Sequence, residues 1–415
     1  MVKIVDLFIT CTCIYINQTS KKILKLFQII NLGIELMPKL LFLVNVDWFF
    51  ISHRLPIAQE ALKQGYSVTI ACHFTEHKQA LKEMGFNVVE LPFTRSGGSI
   101  GNELKTLKAI RNLIKQEQPS VIHAVTIKPV LYAGLVLKTI KQKIPFVAAI
   151  SGLGYVFTAS TFRAKLTKFI ASMVYKVALA HKNKTVIFQN RSDEKILTEV
   201  ANLKACDKVL IKGSGADLSV YNQIPEINRP HIKIAMACRL LREKGVYQYI
   251  EAAKAVKTQF PNTQFLLIGT PDLENPNTIK QSEIDKWVDE GIIDYLGHRS
   301  DIPNIFSDVN IVTLPSFYGE GVPKVLIEAA ACGRAIVTTT NPGCNDAIID
   351  NETGLAVPPM DGQSLANAFI QLINSPEQRI EMGVKARVFA EKEFDVKAVV
   401  TTHIKIYKGL LDNKL

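Results

Sequence analysis

Two glutamates with seven residues between them stand in the run Ser316-Phe317-Tyr318-Gly319-Glu320-Gly321-Val322-Pro323-Lys324-Val325-Leu326-Ile327-Glu328. The apolar run Ile311 to Leu314 before it predicts a strand, Gly319 and Gly321 a tight loop, and Pro323 the first position of a helix. Glu328 then falls on that helix among Val325, Leu326 and Ala329. Free backbone N–H groups at a helix start behind a glycine loop suit a diphosphate. Carboxylates on the loop and on the inward helix suit the paired hydroxyls of a sugar and of a ribose, which donate to them. The bland alternative is an ordinary strand-loop-helix connection with a solvated glutamate at each end.

A second group, Arg239-Leu240-Leu241-Arg242-Glu243-Lys244-Gly245, follows the apolar run Ile232 to Cys238. Arg239 and Lys244 are candidates to hold a diphosphate, and two cations there stabilise a departing phosphate without a metal. Taken alone, the segment also reads as a loop with solvated surface cations. The sequence has no Asp-x-Asp motif.

Something must carry these groups. From Lys39 onward apolar β-type runs alternate with helical patterns: Leu40 to Val46, Ser67 to Cys72, Asn87 to Leu91, Val121 to Val125, Phe146 to Ile150 and Val186 to Gln189. A second series runs through Ile232 to Cys238, Gln264 to Ile268, Ile293 to Tyr295, Ile311 to Leu314 and Ala335 to Thr339. Such alternation predicts an α/β chain of two doubly wound, Rossmann-like parallel sheets, with ligands at the strand carboxyl ends and a cleft between the halves. The expected division is 37–208, 209–390 and a C-terminal helix in 391–415 that crosses back to the first domain. Residues 1–36 read as an extension, either an interfacial helix or a stretch before a true start at Met37.

Composition narrows the classes. The chain has 415 residues, 47% of them hydrophobic, which suits two cores and argues against disorder. Its seven cysteines lack paired spacing, so neither a disulfide frame nor a zinc site is indicated and a reducing cytosol is expected. The net charge of +11 points to an anionic partner: nucleic acid, acidic lipid or a phosphate-bearing substrate. The richest N-terminal run, Ile4 to Ile16, is short for a transmembrane span and contains Asp6. Within Thr161 to Lys184, Phe169, Ile170, Met173 and Val174 alternate with Lys168, Lys176 and Lys182, a helical stripe that suits either an anionic membrane surface or an ordinary core.

The Glu320–Glu328 spacing, Arg239, Lys244-Gly245 and Gly297-His298-Arg299-Ser300-Asp301 together resemble family 4 of the retaining glycosyltransferases, over about Lys39 to Leu411. The chain is similar in particular to bacterial enzymes that build lipid-linked oligosaccharides and O-antigens, N-acetylhexosaminyl transferases among them. The resemblance implies the GT-B architecture, no metal or cofactor, and a nucleotide-sugar donor, UDP before GDP, bound on the second domain. It implies that Glu328 binds ribose hydroxyls, Glu320 contacts the donor sugar, and Arg239 with Lys244 holds the diphosphate, while Gly319, Gly321, Val322, Gly215 and Arg299 line the donor side. Gly213-Ser214-Gly215-Ala216-Asp217 resembles the turn opening the family's second domain, with serine where asparagine is usual.

The family's glycine-rich loop after the first strand is here Asn45-Val46-Asp47-Trp48-Phe49-Phe50-Ile51-Ser52-His53-Arg54. Its aromatics suit an acceptor, a lipid or the core. His53, Arg54 and Lys128 are the acceptor-side candidates. His123, in Val121-Ile122-His123-Ala124-Val125, is either the family's sugar-contacting histidine or a structural one. Ser151-Gly152-Leu153-Gly154-Tyr155 resembles a cleft-facing loop and lacks the third glycine of a dinucleotide fingerprint. Expected partners are thus a nucleotide-sugar, a lipid-linked or saccharide acceptor and the cytoplasmic face of the inner membrane, without nucleic acid. The rivals are a nucleotide-sugar epimerase on the same fold, which needs no acceptor, and a non-catalytic membrane-surface binding protein.

Overall fold

The computed structural model describes residues 37–93, 99–153, 162–226 and 231–412. The extension 1–36 and Gly154-Tyr155 lie outside the described residues. Seven parallel strands form the first sheet: β1 (Lys39–Val46), β2 (Ser67–His73), β3 (Asn87–Glu90), β4 (Val121–Val125), β5 (Phe146–Ile150), β6 (Lys184–Phe188) and β7 (Lys208–Leu210). Their order is β3-β2-β1-β4-β5-β6-β7. The second sheet has β8 (Lys233–Ala237), β9 (Gln264–Ile268), β10 (Asp294–Gly297), β11 (Ile311–Leu314), β12 (Ala335–Thr339) and β13 (Gly354–Val357), in the order β10-β9-β8-β11-β12-β13. In each sheet the first strand lies beside the fourth, so strand order reverses there and a crevice opens at the carboxyl ends.

Apolar runs such as Phe146–Ile150 and Ile311–Leu314 are buried throughout, because helices cover both faces of a parallel sheet. Side chains alternate between the faces. In β1, Leu41 and Leu43 join one core, which the helices Ile100–Glu117 and Ile127–Lys138 complete. Leu40, Phe42 and Val44 join the other, with Ile57 and Ala61 of the helix Leu55–Lys63.

The last two helices divide their service. Pro376–Glu393 stays on the second domain, against the helix Lys324–Ala331. Val396–Asp412 crosses to the first, where Val399, Ile404 and Tyr407 enter the core beside Phe42. The crossing point is fastened by Ala216 N–H to Phe394 O (2.8 Å) and Val396 N–H to Ala216 O (3.0 Å). Gly215, expected on the donor side, packs against Val396 here.

This crossing helix corrects the reading of His123 as catalytic. His123 is the middle residue of β4, in register with Phe42, and both point to the face that Val396–Asp412 covers. It is fully buried, with Nδ1 2.6 Å from Tyr407 Oη and its ring 5.6 Å from that of His403. Arg54, expected on the acceptor side, is also buried and donates to His53 O at 2.9 Å.

Burial holds the His123 imidazole well below its usual range, with His403 and Arg54 adding to the shift, and pushes His403 down to about 3. Both histidines are therefore neutral when folded and protonate on unfolding below about pH 6.5. Their stabilising contribution is complete above that pH and is lost as pH falls toward about 3. One such group costs about 2 kcal/mol at about pH 5. Urea midpoints should fall from pH 7 to pH 5, and His403→Gln should flatten that slope.

Candidate active site

The crevices of the two sheets face each other across a cavity of about 420 Å³. Its second-domain wall begins at β8. Past Arg239 the chain makes a single 3₁₀ turn, Arg242–Lys244, and ends it at Gly245 with φ 84°. A Cβ at Gly245 would lie 2.1 Å from Pro315 O, so only glycine lets this turn press against the end of β11. Lys244 is thereby delivered to Glu320. Its Nζ bonds Glu320 Oε1, and Ser316 Oγ lies 3.0 Å from the same oxygen. Burial alone would lower the Lys244 ammonium, but the adjacent Glu320 carboxylate outweighs it and the net shift is upward.

Glu328 sits on the helix Lys324–Ala331 and is only 8% exposed. Tyr221 Oη donates to its Oε1 at 2.6 Å, and Lys324 Nζ lies 3.5 Å from that oxygen. Burial raises the Glu328 carboxyl, and Lys324 and Tyr221 hold the rise back.

The first domain supplies the opposite wall. Trp48 is the second residue of the helix Asp47–His53, which follows β1 directly, and its ring lies 5.6 Å from the Arg239 guanidinium, whose Nη1 donates to Asp272 at 3.2 Å. Asp47 anchors this corner: it accepts from the backbone N–H groups of Trp48 (2.8 Å), Thr75 (2.9 Å), Glu76 (3.2 Å) and His77 (3.0 Å) and from the Thr75 hydroxyl (2.7 Å). Burial raises the Asp47 carboxyl, but these donors prevail and it ends below the usual carboxylate range. Phe49 stacks on His53 at 4.1 Å. The walls also touch. Lys324 Nζ donates to Ser52 O (2.8 Å), Asn190 Nδ2 to Glu320 O (3.1 Å), and a Cβ on Gly152, at φ 106°, would lie 2.6 Å from Gly319 O.

The cavity thus gathers Glu320, Glu328, Arg239, Lys244, Gly321, Val322 and His53, with Gly319 at the contact between the domains. Besides His123, Arg54 and Gly215, accounted for above, two expected members stand elsewhere. Lys128 pairs with Glu103 at 3.1 Å, and exposed Arg299 pairs with Asp301. Residues that sequence reasoning did not pick out join the walls: Tyr221, Lys324, Ser52 and Gln189. Three buried oxygens without partners among the described residues mark the ends of neighbouring strands: Asn45 Oδ1 on β1, Thr126 Oγ1 after β4 and Ser151 Oγ after β5. Thr126 holds φ 72° and ψ 171°, a conformation costly for a β-branched residue.

Residues 39–190 match the model for "Glycosyl transferase 4-like" domains and residues 231–375 that for "Glycosyl transferases group 1". The chain is a GT-B glycosyltransferase. It is 26% identical over 385 residues to the N,N'-diacetylbacillosaminyl-diphospho-undecaprenol alpha-1,3-N-acetylgalactosaminyltransferase of Campylobacter jejuni, covering 88% of this chain and 99% of the relative. An Escherichia coli relative, UDP-Gal:alpha-D-GlcNAc-diphosphoundecaprenol alpha-1,3-galactosyltransferase, is 24% identical over 290 residues, 66% of this chain and 71% of its own. The same fold occurs in sucrose-phosphate synthase from Thermosynechococcus elongatus, with a TM-score of 0.73 and 20% identity over 91% of this glycosyltransferase and all of that chain.

Removing Lys244 would leave a largely buried carboxylate without its cation, a loss of about 3 kcal/mol. Lys244→Met should lower the urea midpoint of the second domain, and Glu320→Gln added to it should recover more than half of the loss. With Trp48→Phe as background, Trp287 fluorescence reports that domain alone.

Proposed function

We propose that this glycosyltransferase moves a hexose or N-acetylhexosamine, with retention at the anomeric carbon and without a metal, from a UDP-sugar to a lipid-linked saccharide. The observation that carries the reading is the meeting of two cations, Arg239 and Lys244, with two carboxylates, Glu320 and Glu328, at the β8/β11 switch point. Glu328 takes the ribose hydroxyls, Arg239 and Lys244 the diphosphate, and Glu320 the donor sugar. The anomeric C–O bond breaks with its electron pair leaving on the diphosphate, where the cations meet the new charge. The acceptor hydroxyl attacks from the same face and passes its proton to a phosphate oxygen. The names of both relatives carry a diphosphoundecaprenol acceptor, and one carries a UDP-sugar, which supports the substrate classes. Ser151, on the opposite wall, has a hydroxyl oxygen without a partner among the described residues that suits an acceptor hydroxyl, which favours transfer over a reaction on the donor alone.

A lipid-linked acceptor places the enzyme at the cytoplasmic face of the membrane. In the helix Phe162–Ala178, Phe169 is 63% exposed, Ile170 54%, Met173 56% and Val177 47%, with exposed Lys176 beside them. Such a stripe on a chain of charge +11 suits an anionic bilayer surface. Among the described residues no helix is long and apolar enough to cross a membrane.

Calorimetry with UDP in the presence of EDTA should show binding, and Glu328→Ala should weaken it at least about tenfold, the worth of a hydrogen bond to a charged group. Wild type that binds UDP only with added divalent metal would refute the metal-free reading. Phe169→Ser with Met173→Ser should release the protein from phosphatidylglycerol vesicles in flotation, leaving UDP affinity unchanged.

A further inference from the structure

Tyr221 belongs to the turn that opens the second domain, 107 residues before Glu328, and is built in from both sides. Its N–H donates to Asp217 O at 2.9 Å. Its carbonyl accepts from Arg387 Nη1 at 2.7 Å, and the same nitrogen donates to Ala331 O at 2.6 Å. One guanidinium thus fastens the tyrosine and the last residue of the Glu328 helix together. The phenol then reaches Glu328 Oε1, and the Lys324 contact falls on that oxygen too.

We propose that Tyr221 is a positioning residue of the ribose subsite: it pins one carboxylate oxygen of Glu328 so that Oε2 is presented to the vicinal diol of the nucleotide. The inference rests on the reading of Glu328 as the ribose ligand. A carboxylate buried this deeply is free to rotate or take up a proton unless a donor fixes and stabilises its ionised form. Lys324 is a weaker support, since it is farther away and also donates to Ser52 O. The phenol cannot act as a base in this place, because burial and the neighbouring carboxylate raise its own pKa.

The test compares UDP with 2′,3′-dideoxy-UDP by calorimetry on the full chain, as wild type, Tyr221→Phe and Glu328→Gln, from pH 5.5 to 8. Wild type should prefer UDP at least about tenfold, as expected for hydrogen bonds to a charged carboxylate. Tyr221→Phe should lose most of that preference while its affinity for the dideoxy compound stays the same, an internal control for folding. The groups facing Glu328 are Lys324, Tyr221 and, one turn on, Cys332. The phenol lowers the Glu328 pKa, so without it UDP affinity should begin to fall at a higher pH than in wild type. A Tyr221→Phe variant that keeps the full preference and the wild-type pH profile overturns the role of Tyr221 and leaves the donor-site reading standing. Wild type that binds both nucleotides equally overturns the ribose role of Glu328, and this inference with it.

Discussion

The ion pair between Lys244 and Glu320 is the contact around which the cleft is organised. Neither group is stable there alone, because a charge shielded from water needs a partner and further hydrogen bonds. The 3₁₀ turn at Gly245 brings the lysine in, Ser316 occupies the carboxylate a second time, and Asn190 of the first domain binds the carbonyl of Glu320 itself. The glutamate is thus tied to a cation on its own domain and to the backbone of the facing one. On the proposed function, a loop held in this way needs little reorganisation when substrate charge develops beside it.

That anchoring is effective only if the two domains keep their approach, and the chain secures this twice. Gly152 leaves room for the Gly319–Gly321 loop to come to backbone contact. On the far side, the helix Val396–Asp412 leaves the second domain and buries Tyr407 in the core of the first. The hydrogen bond from Tyr407 to His123 belongs to this second attachment. His123 serves the fold that holds the cleft together, at a distance from the chemistry.

The parts of the site that were legible in the sequence are those whose members lie close together in the chain. Glu320 and Glu328 span a single strand-loop-helix unit, as do Arg239 and Lys244, so spacing alone predicts their placement beyond the ends of β11 and β8. The alternation of apolar runs likewise predicted both sheets. Pairs such as Tyr221 with Glu328 and Trp48 with Arg239 are made by tertiary folding and leave no local pattern. His123 misleads for a definite reason. In a parallel sheet the ligand-facing residues lie past the last hydrogen-bonded position, and His123 is the third of five residues in β4, where both directions are core. Thr126, just beyond the strand, is set apart by its backbone conformation and by a buried hydroxyl without a partner among the described residues, neither of which leaves a mark in the sequence.

The replacement of a glycine loop by Trp48 and Phe49 changes how the anion-binding corner is built. A glycine loop offers backbone N–H groups to a phosphate, whereas Asp47 already consumes the N–H groups of Trp48, Thr75, Glu76 and His77. These four main-chain donors are therefore not open to an anion, and on the proposed function the task passes to the side chain of Arg239. Trp48 does not compete for it. The Arg239 guanidinium lies within cation–π range of the indole, 5.6 Å from its ring centroid, and its Nη1 is taken by Asp272. On the proposed function, a diphosphate held by Arg239 would therefore meet a side chain that already touches the opposite domain, and its binding would draw on both walls of the cleft.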